Sequence, residues 1–198
     1  MAWLTHRPIG LTHKAEGAFE GYTFFSSVTG HHATVVDMDG QVVHQWEHEE
    51  GIQHIKLLAS GNLLIQTSPP SPEDGEGRQD IGGSAGAMIE LDPDGNTVWE
   101  HRDVTQHHDY VRLDNGHTVY LCLEKMPSSI SKKIQGGHHH HEDPEEMWGD
   151  VVREIDPEGN LVYEWLAGQY IRKNRIKFSR IVKILCENIK NFAKRSQH

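Results

Sequence analysis

The sequence predicts an all-β protein made of antiparallel hairpins that repeat over residues 1–168. Short runs alternate between apolar and polar residues, glycine-containing turns separate those runs, and two distinct hairpin patterns recur along the chain. A helical interpretation of this region fails because glycine and proline recur inside every window long enough for a helix. We therefore expect sheets throughout residues 1–168.

The first pattern, which we name the Asp-Gly hairpin, occurs three times. Each copy has an apolar strand, an Asp-x-Asp/Glu-Gly turn and a second alternating strand that carries aromatic residues near its end. The Asp side chain opens the turn and the Gly can adopt a positive φ. After the turn, Val42, Val98 and Val162 alternate with more polar neighbours, as expected of a half-buried strand. The copies are VVDMDGQVVHQW (35–46), IELDPDGNTVWEH (89–101) and REIDPEGNLVYEW (153–165).

The second pattern, which we name the His-led hairpin, occurs twice. It reads HIKLLASGNLLI from His54 to Ile65 and HDYVRLDNGHTVYL from His108 to Leu121. In both copies an apolar strand meets a glycine turn and returns as a second apolar strand. The interval from the leading histidine to the turn glycine is 7 residues for His54 and 8 for His108, so the two histidines are one residue out of register.

The spacing of the Asp-Gly hairpins predicts four-stranded sheets. Their leading aspartates, Asp37, Asp92 and Asp156, are 55 and 64 residues apart. Two hairpins in a period of that length make one four-stranded sheet per repeat. Such repeats are typical of a β-propeller, in which each blade buries its faces against its neighbours. We therefore expect a partial propeller of about three blades over residues 1–168.

Two sequence features resemble metal sites, but neither predicts one. The turn DPDGN supplies Asp92, Asp94 and Asn96, yet a calcium loop would need Gly where Thr97 stands and Glu where Asp103 stands. Consecutive histidines, such as those at 138–141, point in different directions and cannot close around one ion. We therefore expect turn chemistry in the first case, adventitious metal affinity in the second, and no metal site.

Composition limits the partners and the compartment. Residues 1–168 contain 10 Lys+Arg against 28 Asp+Glu, a net charge of −18, which argues against nucleic acid as the partner of this region. The chain has no run of 18 apolar residues, so we expect no integral membrane segment. The first residues lack a basic region followed by an apolar one, which leaves the cytoplasm as the default compartment. Cys122 and Cys186, as a single distant pair, neither require nor exclude a disulfide.

Residues 169–198 differ from the rest of the chain and form a second predicted region. They carry 9 Lys+Arg against Glu187 alone, a net charge of +8. Apolar residues recur there at three- and four-residue intervals, which predicts a basic amphipathic helix. One interpretation is a helix that docks on acidic lipid or on a partner. The alternative, favoured by the abrupt change of charge where the repeat stops, is a segment foreign to the repeat domain.

With these patterns in place, the chain resembles the bacterial aryl sulfotransferase family over about Gly17 to Leu166. The resemblance rests on GYTFFS (21–26), VVDMDGQVVHQW, QHHDYVRLDNGHTVYL (106–121) and GDVVREIDPEGNLVYEW (149–165). It implies a six-bladed propeller that moves a sulfuryl group from a phenolic sulfate to a phenol through a transiently sulfated histidine. An aryl sulfate and a phenol are then the small-molecule partners, and no organic cofactor is implied.

The chemistry of this transfer explains the candidate residues. Its transition state spreads charge over three oxygens, which cationic and amide donors can stabilise, and the leaving phenolate needs an acid. By resemblance, His107, His108 and Asp109 match the His-His-Asp motif of the family, with the histidines assisting and Asp109 orienting them. His54 and Arg102 are weaker candidates for substrate binding, since alternation alone does not show which way they point.

The chain departs from the family pattern in its number of repeats. Six blades need more than about 300 residues, whereas three repeat units are visible here. The later blades, where the sulfated histidine is expected, have no counterpart, so we expect an incomplete site and a truncated propeller. Two chains could pair as a homodimer and cover exposed strand edges. The alternatives are a non-catalytic propeller that binds a partner and a propeller dehydrogenase with a quinone cofactor, for which the sequence lacks a cofactor signature.

Overall fold

The computed structural model describes residues 10–28, 30–70, 82–132 and 147–170. The predicted C-terminal helix, the four consecutive histidines and Cys186 lie outside these ranges. The prediction of a basic helix beyond the repeats therefore stays a prediction.

The described residues are all-β, in three antiparallel sheets. One short helix, α1 (Ser128–Ser131), and one 3-10 helix (Ala167–Tyr170) complete the described elements. The strands are β1 (Thr23–Ser26), β2 (His32–Val36), β3 (Val42–Glu47), β4 (His54–Leu57), β5 (Leu63–Gln66), β6 (Ala87–Leu91), β7 (Thr97–Arg102), β8 (Gln106–Arg112), β9 (Thr118–Lys125), β10 (Trp148–Ile155) and β11 (Leu161–Leu166).

The chain divides into two compact units. The first, residues 1–70 and 85–102, contains the three-stranded sheet β1-β2-β3 and the four-stranded sheet β4-β5-β6-β7. The prediction that a His-led hairpin and an Asp-Gly hairpin share one four-stranded sheet is confirmed for β4-β5-β6-β7. It is wrong for the first sheet, which has three strands among the described residues, because no His-led hairpin precedes the first Asp-Gly hairpin. The two sheets share one core, in which Trp46 packs edge-on against Phe24 and donates a 2.8 Å hydrogen bond from Nε1 to the carbonyl of Asp92. The buried core residues are Ala33, Trp46, Ile52, Leu63, Ile65, Ala87, Ile89 and Leu91.

The second unit, residues 71–84 and 103–198, contains the sheet β8-β9-β10-β11. Again the two kinds of hairpin share four strands, as the sequence predicts. A cluster of Val119, Val152, Trp165 and Ala167 forms part of its core. Trp165 occupies the same place in its Asp-Gly hairpin as Trp46 does in the first, and both side chains are buried.

The turns of the three Asp-Gly hairpins are built alike. The carboxylate of the leading aspartate accepts backbone N–H groups within its own turn, for example those of Asp94 and Asn96 on Oδ1 of Asp92 at 2.9 and 2.8 Å. Gly95 has a φ of 87°, and Gly40 and Gly159 are also positive. The aspartates are therefore turn residues, as predicted, because N–H groups of the same turn donate to their carboxylate oxygens.

Val42, Val98 and Val162 do not lie on the buried face of the half-buried strands predicted for them. All three are more than half exposed, at 61%, 52% and 51%. Each lies on β3, β7 or β11, which are the edge strands of their sheets. In β3 and β11 burial is concentrated at the aromatic end, since Trp46 and Trp165 are the buried residues there.

Among the described residues, no helix is long and apolar enough to cross a membrane.

Candidate functional site

The His-His-Asp cluster forms an irregularity at the start of β8. Gln106 pairs with Cys122 and Tyr110 pairs with Tyr120, so the three residues 107–109 face the single residue Leu121 of β9. Such a bulge removes residues from the ladder and re-aims their side chains. His107 instead forms an isolated antiparallel bridge with Ser84, from the loop that precedes β6. The cluster is therefore presented by a distorted strand and not by a regular one.

His108 holds an unusual backbone conformation. Its φ of 58° makes it the one non-glycine residue with positive φ among the described residues. A left-handed conformation costs an L-residue about 1–2 kcal/mol and persists only where surrounding contacts impose it. The contact here is a 2.7 Å hydrogen bond from the backbone N–H of His108 to the carbonyl of Gly83.

Gly83 also accommodates the ring of His108. A Cβ added at Gly83 would lie 3.0 Å from Cγ and Cδ2 of His108, and the φ of Gly83 is +82°. Both the backbone conformation and the space therefore require glycine at this position. The loop before β6 thus positions His108 through its backbone and through the absence of a side chain.

The two imidazoles contact each other directly. Nδ1 of His107 and Nδ1 of His108 are 2.9 Å apart, with ring planes at 88°. His107 is buried at 5% exposure, whereas His108 is exposed. A buried ring is thus joined by a hydrogen bond to one that faces solvent.

Asp150 of β10 is the carboxylate next to the buried ring. Its Oδ1 lies 3.5 Å from Nε2 of His107, longer than a well-formed hydrogen bond. Burial lowers the pKa of His107 below its ordinary value; Asp150 opposes this shift, His108 adds to it and the backbone of Cys122 opposes it. His107 is therefore neutral near pH 7, because desolvation outweighs the attraction of Asp150.

Asp109, predicted to orient the histidines, accepts a 2.8 Å hydrogen bond on Oδ1 from the backbone N–H of Tyr110. Its carboxylate stabilises the backbone at Tyr110, where regular pairing with β9 resumes after the bulge. Asp150 was not among the predicted site residues, because it stands in the motif GDVVREIDPEGNLVYEW, far from the histidines in sequence. Only the pairing of β9 with β10 brings it to them.

A partly buried polar network, which we name the Asp103 network, lies just before the bulge. Oδ1 of Asp103 accepts the N–H and the hydroxyl of Thr105, at 2.9 and 2.6 Å. Oδ2 accepts the hydroxyl of Tyr120 and Nη1 of Arg153, both at 3.0 Å. Burial raises the pKa of Asp103, but the hydrogen bonds from Thr105 and Tyr120 and the charge of Arg153 outweigh it and hold that pKa below its usual range. Arg153 continues the network with a 2.7 Å bond to Glu164.

The Asp103 network anchors the strand that bears the histidines. The backbone N–H of Leu123 donates to the carbonyl of Thr105, which fixes β9 against the start of β8. Cys122, paired with Gln106, is fully buried, and desolvation raises the pKa of its thiol to about 12. This cysteine is therefore a thiol at neutral pH and a packing residue.

The other two predicted residues belong to the first unit. His54 is half-buried and pairs with Gln66 in the regular β4–β5 ladder. Arg102 is engaged by two carboxylates: it donates to Glu50 from Nη1 and Nη2 at 3.1 and 2.6 Å, and Nε contacts Glu100. Its hydrogen bond and charge lower the pKa of Glu50 despite partial burial. The role of either residue in substrate binding stays a prediction.

In the described part of the chain, no group of three or more His, Cys, Asp or Glu side chains is arranged to hold a metal ion.

Comparisons with known proteins find no relative that identifies the chain. No protein-family model and no curated protein matches it. One solved structure, a protein of unknown function from Bacteroides caccae, is 14% identical, with a TM-score of 0.30. The match covers 68% of this chain and 59% of that one.

Proposed function

We propose that this chain is an aryl sulfotransferase-like protein whose three sheets are blades of a six-bladed propeller. The paired histidines at the start of β8 act on a sulfuryl group passing from a phenolic sulfate to a phenol. Support comes from the sequence patterns and from one observation in particular: the contact between a buried neutral imidazole and an exposed imidazole held at positive φ.

The reaction has two balanced halves. The S–O bond of the donor ester breaks, its electron pair leaves with the phenolate oxygen, and an N–S bond would form to the nucleophilic histidine that the resemblance assigns to the later blades of the propeller. A phenol then loses its proton to a base, its oxygen forms an O–S bond, and the N–S bond breaks. A positioned imidazole can supply the first proton and accept the second.

The structure suits His108 better than His107 for contact with substrate. His108 is exposed, whereas His107 lies inside and touches Asp150. Strain retained at an exposed polar residue is characteristic of functional sites. His107 then serves as the internal partner that holds the exposed ring.

The test is a transfer assay with 4-nitrophenyl sulfate as donor and phenol as acceptor, following release of 4-nitrophenol and formation of phenyl sulfate. Where the nucleophilic histidine of the propeller is supplied, we expect phenol-dependent turnover, and a loss of about 100- to 10,000-fold in His108→Gln because proton transfer is removed. His32→Gln, an exposed histidine at the start of β2, is the matched control and should retain full activity.

Turnover that is equal in His108→Gln and His32→Gln would remove the paired histidines from the mechanism. A folded chain that forms no phenyl sulfate would overturn catalysis and favour the alternative, a propeller that binds a partner without reaction.

A further inference from the structure

The contact between the two imidazoles restricts where their protons lie. Two ring nitrogens 2.9 Å apart can share one hydrogen bond, so one Nδ1 carries a proton and the other accepts it. Each neutral imidazole has a single N–H. The choice made at Nδ1 therefore determines which nitrogen of each ring keeps its lone pair.

Asp150 makes one of the two tautomers of His107 more favourable than the other. If His107 were protonated on Nδ1, the lone pair of its Nε2 would face Oδ1 of Asp150 at 3.5 Å, in a side chain that is 7% exposed. That arrangement places two electron-rich atoms close together beside a buried ring, which is unfavourable. If His107 is protonated on Nε2, the N–H dipole lies 3.5 Å from the carboxylate of Asp150, too far for a well-formed hydrogen bond, and the electrostatic interaction is attractive. The second tautomer is therefore favoured.

From this arrangement we propose a directed relay from Asp150 through His107 to His108, which deepens the proposed function and rests on it. Asp150 holds the proton of His107 on Nε2, Nδ1 of His107 accepts the Nδ1–H of His108, and Nε2 of neutral His108 carries the lone pair. That nitrogen takes the proton of the acceptor phenol, and the resulting imidazolium returns it to the departing phenolate of the next donor. Asp150 and His107 are positioning residues, because they act through His108.

The relay follows the logic by which a buried carboxylate fixes the tautomer of a catalytic histidine. It differs in using a second imidazole to carry the effect to the surface. The strained backbone of His108 is then explained, because a regular strand would direct successive side chains to opposite faces and separate the rings.

The first measurement is the tautomer of each ring by long-range ¹⁵N–¹H NMR of the whole chain at pH 7.5, with signals assigned through His107→Gln and His108→Gln. We expect Nε2–H on His107 and Nδ1–H on His108. Asp150→Asn should reverse both, since the amide of asparagine can donate to Nε2 of His107. Asp114→Asn, an exposed carboxylate on the β8–β9 turn, is the matched control and should change neither.

The second measurement is the transfer reaction in the same variants. Asp150→Asn should lower kcat about 100-fold or more at nearly constant KM, because the lone pair of His108 moves away from the substrate. Opposite tautomers in the wild type, or tautomers unchanged by Asp150→Asn, would overturn the relay whatever the activity. If the expected tautomers are found in a chain without transfer activity, the sulfotransferase proposal is overturned. The assignment of the hydrogen-bond donors and acceptors from Asp150 to His108 is then still supported.

Discussion

The two His-led hairpins have the same turn but different strand starts. In β4–β5 the carbonyl of Leu58 accepts the N–H of Gly61, and in β8–β9 the carbonyl of Leu113 accepts the N–H of Gly116. Counting back from these turns, Ile55 pairs with Ile65 and Tyr110 pairs with Tyr120. One residue earlier the ladders differ: His54 pairs regularly with Gln66, whereas Asp109 lies in the bulge. His54 therefore corresponds in register to Asp109 and not to His108.

The residues across each sheet differ as well. In the first unit Ile65 pairs with Ile89, and both are fully buried in an apolar core. At the corresponding positions of the second unit Tyr120 pairs with Arg153, and both bond to Asp103. The same backbone thus supports an apolar row in one sheet and a polar network in the other. The polar network occurs in the same sheet as the strained His108. The repeated hairpin pattern therefore determines how the strands pair, and the different side chains at equivalent positions create the candidate site.

Breaking the Asp103 network should have the largest effect on stability. Asp103→Ala removes the carboxylate that accepts the hydroxyl of Tyr120 and Nη1 of Arg153, so we expect a loss of about 3 kcal/mol in the free energy of unfolding. Glu50→Gln, which weakens the exposed ion pair with Arg102, should cost no more than about 1 kcal/mol.

Urea unfolding followed by tryptophan fluorescence measures both values, and hydrogen exchange in β8 and β9 localises the first. Equal losses in the two variants would show that the Asp103 network does not stabilise the strand that bears the histidines.

A smaller effect should distinguish two glycines with similar backbone. Gly61→Ala places a Cβ in open space at a φ of +89°, so it should cost about 1–2 kcal/mol for the left-handed conformation alone. Gly83→Ala meets the ring of His108 as well and should cost about 1 kcal/mol more, because that ring must leave its preferred rotamer.

Hydrogen exchange of the β5 amides measures the loss of stability in Gly61→Ala, and exchange of the β9 amides measures the loss in Gly83→Ala. The tautomer signal of His108 should move in Gly83→Ala and stay in place in Gly61→Ala. An unchanged His108 signal in both variants would remove Gly83 as its support.

The smallest effect is the pH dependence that His107 contributes. Its pKa is lowered on folding, so between the folded value and the unfolded value of about 6.5 the unfolded chain binds more protons. Stability therefore falls as pH drops below about 6.5, and His107→Gln should lose less stability over the same interval. Urea unfolding of both proteins at pH 7.5 and pH 5 measures the difference; a slope that is unchanged by the substitution would contradict the assignment.

Much of the fold could be predicted from the sequence. The Asp-Gly turns, the two kinds of hairpin and their union in four-stranded sheets were all predictable, because turn residues act within four positions of one another and strand alternation is local. The valines Val42, Val98 and Val162 were expected on a buried strand face and are exposed. The alternation of apolar and polar residues within a strand does not show whether that strand lies at the edge of its sheet.

The candidate site was predictable in part. The histidines stood out as a cluster before a strand, and their offset from His54 was visible as a difference of one residue. Asp150 and Gly83 gave no such signal, because each reaches the histidines through pairing between distant segments.

The sequence by itself therefore determined where the chain turns and which runs form strands, because hydrogen bonds within each turn settle those features locally. The tertiary structure decided that His108 adopts a positive φ, that His107 is buried beside Asp150, and that a polar row replaces an apolar one. These features depend on contacts between residues tens of positions apart, and their energies exist only once the strands have paired.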